Sequence, residues 1–207
     1  MALKYDLQFY NKKVKNIVGV DEAGRGCLLG PVYAAAVILP KDFSCDLIND
    51  SKKLTEKQRE KAFSIITKNA LSYGIAYIDA PEIDRINILE ASKKAMEIAI
   101  SKIDVEYDLI LTDFVKLKNQ KCEVIDIAHG DGLSQSIAAA SILAKVSRDN
   151  WCKKINKKYP EYNIAKNKGY GTKDHLIALK KYGPIKKIHR MSYKPVKELT
   201  IEKISLF

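Results

Sequence analysis

Residues 17–20 (IVGV) form a short apolar run that leads directly into two adjacent carboxylates, Asp21 and Glu22. Such a run predicts a buried strand, so the two acids are expected on the loop that follows it. Gly24, Arg25 and Gly26 come next, and glycine lets a backbone approach a ligand closely. If the ligand is a phosphodiester, the acids would hold a divalent metal while Arg25 and the loop amides face nucleic acid. A strand-ending turn with solvated charges is the alternative.

The composition is that of an ordinary globular protein. The chain has 207 residues, of which 46% are hydrophobic and 29% charged, and this length predicts a single α/β domain with an appendage. The sequence contains no apolar run typical of a signal peptide or a membrane span, which predicts a cytoplasmic protein without membrane contact. Four widely separated cysteines suggest free thiols rather than a zinc site or a disulfide framework.

The positive charge is concentrated in the last quarter of the chain. Residues 1–150 hold 21 basic and 21 acidic side chains, whereas residues 151–207 hold 15 basic and 4 acidic ones. A segregated excess of this kind is typical of a surface that binds a polyanion such as nucleic acid. A generally lysine-rich composition would be the alternative explanation.

The apolar patterns predict alternating strands and helices. Thr55 and Gln58 form a capping-box pattern that predicts a helix to about residue 69, and Pro81 predicts the start of another. Residues 129–132 are expected to lead into one long helix with its apolar face on the sheet. A further helix is predicted over 173–180. The predicted strands are 17–20 and 32–39, as an antiparallel pair, then 71–77, 107–113 and 122–127.

Four acids fall where side chains can converge: Asp21, Glu22, Asp113 at the end of a strand, and Asp131 at a helix entrance. Ligands of α/β sheets gather beyond strand ends, so these acids could face one pocket. Carboxylates without a histidine or cysteine cluster favour Mg²⁺ or Mn²⁺ over zinc. Two such ions about 3.5 to 4 Å apart are the recurrent device for phosphodiester hydrolysis. Singly, Asp131 could equally cap a helix and Asp113 end a strand in solvent.

Five segments of the chain carry a family signature: residues 21–26 (DEAGRG), 50–54 (DSKKL), 86–91 (INILEA), 130–131 leading to 137–149, and 168–175 (KGYGTKDH). They resemble ribonuclease HII, the type 2 ribonuclease H, and occur in that family's order. The segment 182–193 is also similar to the family's C-terminal signature, so the resemblance covers nearly the whole chain. Two departures stand out: His129 where lysine is usual before Gly-Asp, and Tyr193 where phenylalanine is common.

The resemblance implies an α/β, ribonuclease H-like fold with a mixed five-stranded sheet flanked by helices. Residues 1–157 would be the catalytic domain, and residues 158–207 a basic helical extension packed on it. The implied activity is endonucleolytic cleavage of the RNA strand of RNA–DNA hybrids, and incision 5′ of single ribonucleotides in duplex DNA. The four acids would hold metal, Gly24, Arg25 and Gly26 would read the 2′-hydroxyl, and Tyr170 would pack on the sugar at the junction.

Further substrate contacts are expected with phosphates, which position a duplex without reading its bases. Ser141, Lys145 and Arg148 share one face of the long helix. Lys52, Thr172 and Lys173 are the other candidates, and ordinary surface positions are the alternative for each of these six residues.

Four expectations concern partners, oligomeric state and rival functions. The tail resembles peptides that dock on the bacterial sliding clamp through Ile204, Leu206 and Phe207, although a frayed or packed terminus is the stronger alternative. The protein is expected to be a monomer. A nuclease or integrase of the same fold acting on DNA junctions would ignore the 2′-hydroxyl. A basic nucleic-acid-binding protein would be indifferent to metal and to Asp21→Asn.

Overall fold

The computed structural model describes residues 2–48 and 54–204. Lys52, Leu206 and Phe207 lie outside the described residues, as does the side chain of Ile204. The phosphate contact of Lys52 and the docking of the tail on a clamp therefore stay sequence predictions.

A mixed five-stranded sheet forms the centre of the fold, as predicted. The order is β3-β2-β1-β4-β5, with β2 antiparallel to both neighbours and β1, β4 and β5 mutually parallel along the sheet. The parallel half brings the carboxyl ends of β1 and β4 to one edge, where ligand sites of α/β proteins form. The strands are β1 Ile17–Ala23, β2 Val32–Ile38, β3 Ser72–Ile78, β4 Leu109–Asp113 and β5 Glu123–Ile127.

The first strand is longer than the sequence predicts. Asp21 and Glu22 lie inside β1, paired with Ala35 and Ala34 of β2, so the expectation that they follow the strand on a loop is wrong. The hydrogen bonds to β2 continue past the apolar run, because the antiparallel partner is still present there. Both acids therefore project from a strand rather than from a mobile loop.

Helices cover both faces of the sheet, and two of them begin differently from the prediction. The capping box of Thr55 and Gln58 is confirmed at α2. The helix expected from Pro81 is divided at Asn87, whose φ is 68° and whose side chain caps the second part. Ser134 likewise separates a short helix from the long one. The helices are α1 Ala2–Leu7, α2 Glu56–Asn69, α3 Ala80–Ile86, α4 Ile88–Ile100, α5 Gly130–Leu133, α6 Gln135–Asn156, α7 Ile164–Asn167, α8 Lys173–Tyr182 and α9 Lys194–Ile204, with a 3-10 turn at Pro160–Tyr162.

The long helix α6 lies against the middle of the sheet. A Cβ on Gly19 of β1 would come within 2.1 Å of the backbone of Ser136. The alanines of α6, Ala138 to Ala140, are fully buried and pack with Ala35 and Val37 of β2. Small side chains on both elements let the helix approach the strands closely, which fixes where α6 presents its polar residues.

The segment after α6 folds back onto the body of the protein. Leu29 packs with Cys152, Tyr162 and Ile164 in one buried cluster and pairs with His189 in an isolated β-bridge. The loop after β1 is therefore covered by residues from the basic last quarter of the chain. In the described part of the chain, no helix has the length and apolarity needed to span a bilayer.

Candidate active site

One open cleft at the edge of the sheet gathers most of the residues predicted to be functional. All four acids line it, together with residues 23–26 of the loop after β1. Tyr170 enters from the C-terminal segment, Ser141 and Lys145 from α6, and Arg59 from α2. Residues from distant parts of the sequence thus meet where the parallel strands end.

The sheet register explains why the acids meet. Val20 of β1 lies opposite Thr112 of β4, so the next residues, Asp21 and Asp113, leave neighbouring strands at the same level. The amide of Gly130 donates to Asp113 Oδ1 at 2.8 Å, which fixes that carboxylate and places α5 beside it. Asp131, the second residue of α5, is buried at the same edge.

The acids are placed in an environment that disfavours their charge. Asp21 is 5% exposed, and its pKa is raised well above the usual range by burial first, then by the nearby carboxylates of Glu22 and Asp113. Burial also raises the pKa of Glu22, an effect opposed by Arg25, whose Nη1 lies 3.4 Å from Glu22 Oε1. A hydrogen bond from the Ser141 hydroxyl stabilises the charged form of Asp21 and so opposes part of the rise in the Asp21 pKa.

The chemistry of this donor set fits divalent cations. Glu22 Oε2 is buried without a hydrogen-bond partner, which is costly for a carboxylate oxygen unless a cation satisfies it. A positive ion would also offset the mutual repulsion of the clustered acids, and oxygen-only ligands suit Mg²⁺ or Mn²⁺. Within residues 2–48 and 54–204, no three His, Cys, Asp or Glu side chains already converge closely enough to form a metal site. The acids line one cleft without forming a preformed cage.

The glycine loop is shaped by what lies behind it. Gly24 has a φ of 100°, and a Cβ there would lie 2.1 Å from Arg148 Nε. A Cβ on Gly26 would meet only the ring of Tyr170, at 4.0 Å. Gly24 therefore permits packing with the interior, whereas Gly26 leaves space open between the loop and Tyr170. The Tyr170 side chain is 45% exposed, which agrees with the loop position expected from its flanking glycines.

The predicted phosphate contact of Arg148 is wrong. This side chain is 1% exposed, and its guanidinium donates to the carbonyls of Pro31, Lys168 and Leu29 at 3.2, 2.8 and 3.1 Å. The helical face predicted from periodicity turns inward at this position, because the loop after β1 and the segment before Tyr170 both pack over it. Arg148 ties these two segments together beneath the cleft.

Three other residues predicted to contact phosphates occupy different positions relative to the cleft. Lys145 lines the cleft and forms an ion pair with Asp149 at 2.7 Å. Thr172 is exposed and caps α8 by accepting from the amide of His175 at 3.3 Å. Lys173, at the start of α8, is exposed and does not line the cleft. Substrate contacts by these residues stay predictions.

Sequence reasoning missed two contributors to this region. Arg59 of α2 lines the cleft, and its signal in the sequence is the capping box, which fixes where α2 begins and hence which of its faces reaches the cleft. Arg190 is fully buried and bonds to the carbonyls of Gly24, Arg25 and Gly30. The only signal for Arg190 was its place in the C-terminal segment 182–193.

Two buried histidines support the backbone of Tyr170. His175 Nδ1 lies 2.8 Å from the Tyr170 carbonyl, so this nitrogen carries the proton and donates. His175 Nε2 then accepts from His189 Nε2 at 3.1 Å, and His189 Nδ1 accepts from the amide of Ile185 at 2.8 Å. Each ring is neutral in this chain of bonds. Burial lowers the pKa of both histidines, that of His189 to about 3.

The chain is similar to known nucleases over most of its length. The family profile described as Ribonuclease HII matches residues 18–196. A protein named Ribonuclease HII from Caldanaerobacter subterraneus subsp. tengcongensis is 52% identical over 189 residues, which are 91% of this chain and 78% of that protein.

Solved structures share the fold. The ribonuclease H2 of Pyrococcus horikoshii superposes with a TM-score of 0.77 at 26% identity, over 90% of this chain and 98% of that one. Bst-RNase HIII, solved in complex with Mn²⁺, gives a TM-score of 0.67 at 15% identity, over 92% of this chain and 71% of that one.

Proposed function

The chain belongs to the ribonuclease HII family of hydrolytic nucleases, and from that premise we propose that it cleaves the RNA strand of RNA–DNA hybrids and incises 5′ of single ribonucleotides embedded in duplex DNA. The products would carry 3′-hydroxyl and 5′-phosphate ends. The observation that carries the proposal is the meeting, in one cleft, of four acids with the glycine loop and Tyr170. The acids suit phosphodiester hydrolysis, and the loop and Tyr170 suit recognition of a sugar.

The four acids project from two kinds of element, the sheet and a helix. Asp21, Glu22 and Asp113 project from neighbouring strands, and Asp131 from α5. With substrate bound, these acids would hold two Mg²⁺ or Mn²⁺ ions, which would supply an activated water and stabilise the leaving oxygen. Ser141 would orient the Asp21 carboxylate through its hydrogen bond, which favours the charged form and opposes part of the rise in pKa.

Substrate selection would depend on the glycine loop and Tyr170. The loop from Gly24 to Gly26 would meet the 2′-hydroxyl through its backbone groups, and the exposed ring of Tyr170 would pack on the sugar at the RNA-to-DNA junction. Lys145 and Lys173 would contact phosphates on either side. Arg25, exposed beside Glu22, is placed to contact the strand next to the acids.

Asp21→Asn tests the proposed function. We expect the wild-type protein, supplied with Mn²⁺ or Mg²⁺, to cut a duplex holding one ribonucleotide and to leave the all-DNA duplex intact. Replacing the carboxylate by an amide of similar size removes a negative metal ligand, so cleavage should fall at least about 100-fold. Product ends and rates are measured on a strand-labelled duplex.

Asp126→Asn is the matched control, because Asp126 is an exposed acid on β5 that does not line the cleft. It should cut like the wild type. Equal cutting by the wild type and Asp21→Asn, or no cutting with either ion, would rule out the proposal. Cleavage that ignores the 2′-hydroxyl would favour a DNA-directed nuclease of this fold instead.

A further inference from the structure

Arg190 makes an unusual set of contacts for a buried cation. Its Nε donates to the Gly30 carbonyl at 2.9 Å, its Nη1 to Arg25 at 2.8 Å, and its Nη2 to Gly24 at 2.7 Å. The planar guanidinium thus spans both ends of the loop after β1. A buried charge is tolerated only when its donors are satisfied, so these carbonyls and the guanidinium hold one another in place.

Tyr193 adds a second connection to the same loop. Its hydroxyl donates to the Arg25 carbonyl at 2.9 Å and accepts from Arg190 Nη1 at 3.0 Å. The ring also lies under the guanidinium, with Arg190 Cζ 5.2 Å from its centroid. One phenol oxygen therefore joins Arg190 to the carbonyl of the loop's central residue.

The support beneath these two residues is itself fixed. The Asp84 carboxylate of α3 accepts from the amides of Met191 and Ser192 at 2.8 and 3.0 Å. The amide of Arg190 donates to the Leu28 carbonyl at 2.9 Å. The turn from Arg190 to Tyr193 is thus anchored to the catalytic body on two sides, and it can hold the loop at a defined distance from the acids.

We infer that Arg190 and Tyr193 are positioning residues that set the Gly24–Gly26 loop for recognition of the 2′-hydroxyl. The inference rests on the proposed role of that loop. Neither residue lines the cleft; both act through the carbonyls of Gly24 and Arg25. Fixing those carbonyls fixes the orientation of the adjoining peptide groups, which are the groups a sugar hydroxyl would meet.

Tyr193→Phe is the most selective test, because it removes one oxygen and keeps the ring beneath Arg190. We measure, in an Asp21→Asn background that does not cut, the affinity for a duplex with one ribonucleotide and for the all-DNA duplex. The ratio of the two affinities should fall by about 2- to 10-fold when the hydroxyl is lost. Arg190→Lys cannot span the same carbonyls and should lower the ratio further.

A merely structural role would not change this ratio. Tyr182→Phe is the matched control, since it removes the same oxygen from a half-exposed tyrosine of α8. Hydrogen exchange gives a second readout that needs no substrate: the Cys27 and Leu28 amides, bonded to Gly24 and Gly169, should exchange faster in Tyr193→Phe and unchanged in Tyr182→Phe.

The outcomes separate this inference from the proposed function. If Asp21→Asn prefers the ribonucleotide duplex and Tyr193→Phe leaves that preference unchanged, the inference is overturned and the proposed function stands. If Asp21→Asn shows no preference, the proposed role of the loop fails. Hydrogen exchange at the Cys27 and Leu28 amides then decides whether Tyr193 holds the loop. Exchange rates that are unchanged in Tyr193→Phe overturn this positioning role as well.

Discussion

Gly24 and Gly26 lie in the same loop, but the absence of a Cβ has a different consequence at each position. A Cβ on Gly24 would meet the buried Arg148 side chain, and the φ of 100° disfavours any side chain there. Gly26 faces Tyr170 across open space, with a contact of 4.0 Å for its Cβ. The first glycine therefore serves the packing of the loop, and the second serves access to the cleft.

Substituting each glycine by alanine should separate these roles. Gly24→Ala forces strain and displaces Arg148, so we expect a loss of about 1–3 kcal/mol in the free energy of unfolding. Gly26→Ala should leave stability nearly unchanged but place a methyl group between loop and Tyr170. Its cleavage rate at a ribonucleotide should fall up to about 100-fold. Urea unfolding and cleavage assays on both variants test this, and a stable, active Gly24→Ala protein would contradict it.

The sequence predicts that the four acids converge, and the structure places all four in one cleft; their metal-binding role stays a prediction. Arg148 shows the limit of such reasoning. Periodicity places it on the same helical face as Ser141 and Lys145, and only the packed segments above it determine that its guanidinium is buried. A charged side chain can be assigned to a face from sequence, but what covers that face depends on contacts distant along the chain.

Gly19 governs the approach of α6 to β1. A Cβ there would lie 2.1 Å from the Ser136 backbone, and backbone on both sides cannot yield as a flexible side chain would. We expect Gly19→Ala to lower the free energy of unfolding by about 3 kcal/mol or more. Chemical denaturation measures this loss.

Gly132→Ala is the comparison for Gly19→Ala, because a Cβ at Gly132 of α5 meets nothing within 4 Å. Alanine is also the better helix former, so stability should rise slightly, by about 0.5 kcal/mol. Equal stability of the Gly19→Ala and Gly132→Ala proteins would contradict the proposed close packing of α6 on β1.

The histidine pair makes the segment that carries Tyr170 sensitive to acid. Burial lowers the pKa of His189 from 6.5 to about 3, and a proton on His175 Nε2 would face the N–H of His189. The unfolded chain therefore binds more protons between these values than the folded chain. The stability contributed by the pair is fully present above pH 6.5 and is lost as the pH falls toward 3.

His189→Asn should flatten this pH dependence, since an amide oxygen can still accept from Ile185 without titrating. Between pH 6.5 and 4.5, the slope of unfolding free energy against pH should decrease by up to about 1.4 kcal/mol per pH unit relative to wild type. His129→Asn, at an exposed histidine with φ 57°, is the control. Identical slopes for the wild type and His189→Asn would show that His189 binds its proton as readily in the folded protein as in the unfolded chain, which would contradict the lowered pKa.

At the level of whole elements, the sequence predicts which strands and helices form better than it predicts where they begin and end. Alternation and apolar runs predict all five strands, and the antiparallel start is confirmed. The extension of β1 through Glu22 depends on the length of β2, and the break at Asn87 on a left-handed backbone within a helical pattern. Neither effect is visible in the local periodicity from which strands and helices are predicted.

The whole molecule divides into a neutral body and a basic segment that share one cleft. The acids come from the first 150 residues, where basic and acidic side chains balance, and Tyr170 comes from the segment with 15 basic and 4 acidic side chains. Clustered acids repel a phosphate backbone in the absence of bound cations. Positive charge beside the cleft would offset that repulsion and hold the duplex while the acids act on one phosphate.

Binding to duplex should therefore depend steeply on salt, with the dependence assigned to the basic segment. Removing one phosphate contact lowers the slope of log affinity against log salt by about 1. We expect this decrease for Lys173→Ala, at an exposed lysine of the basic segment three residues after Tyr170, and no change for Lys12→Ala, at an exposed lysine of the neutral part. Fluorescence anisotropy with Asp21→Asn protein, at salt concentrations between about 50 and 200 mM and on ribonucleotide and all-DNA duplexes, measures both slopes.

A phosphate contact carries no information about the sugar, so Lys173→Ala should weaken binding to both duplexes equally. Equal slopes for the two variants would place the electrostatic contact elsewhere on the molecule.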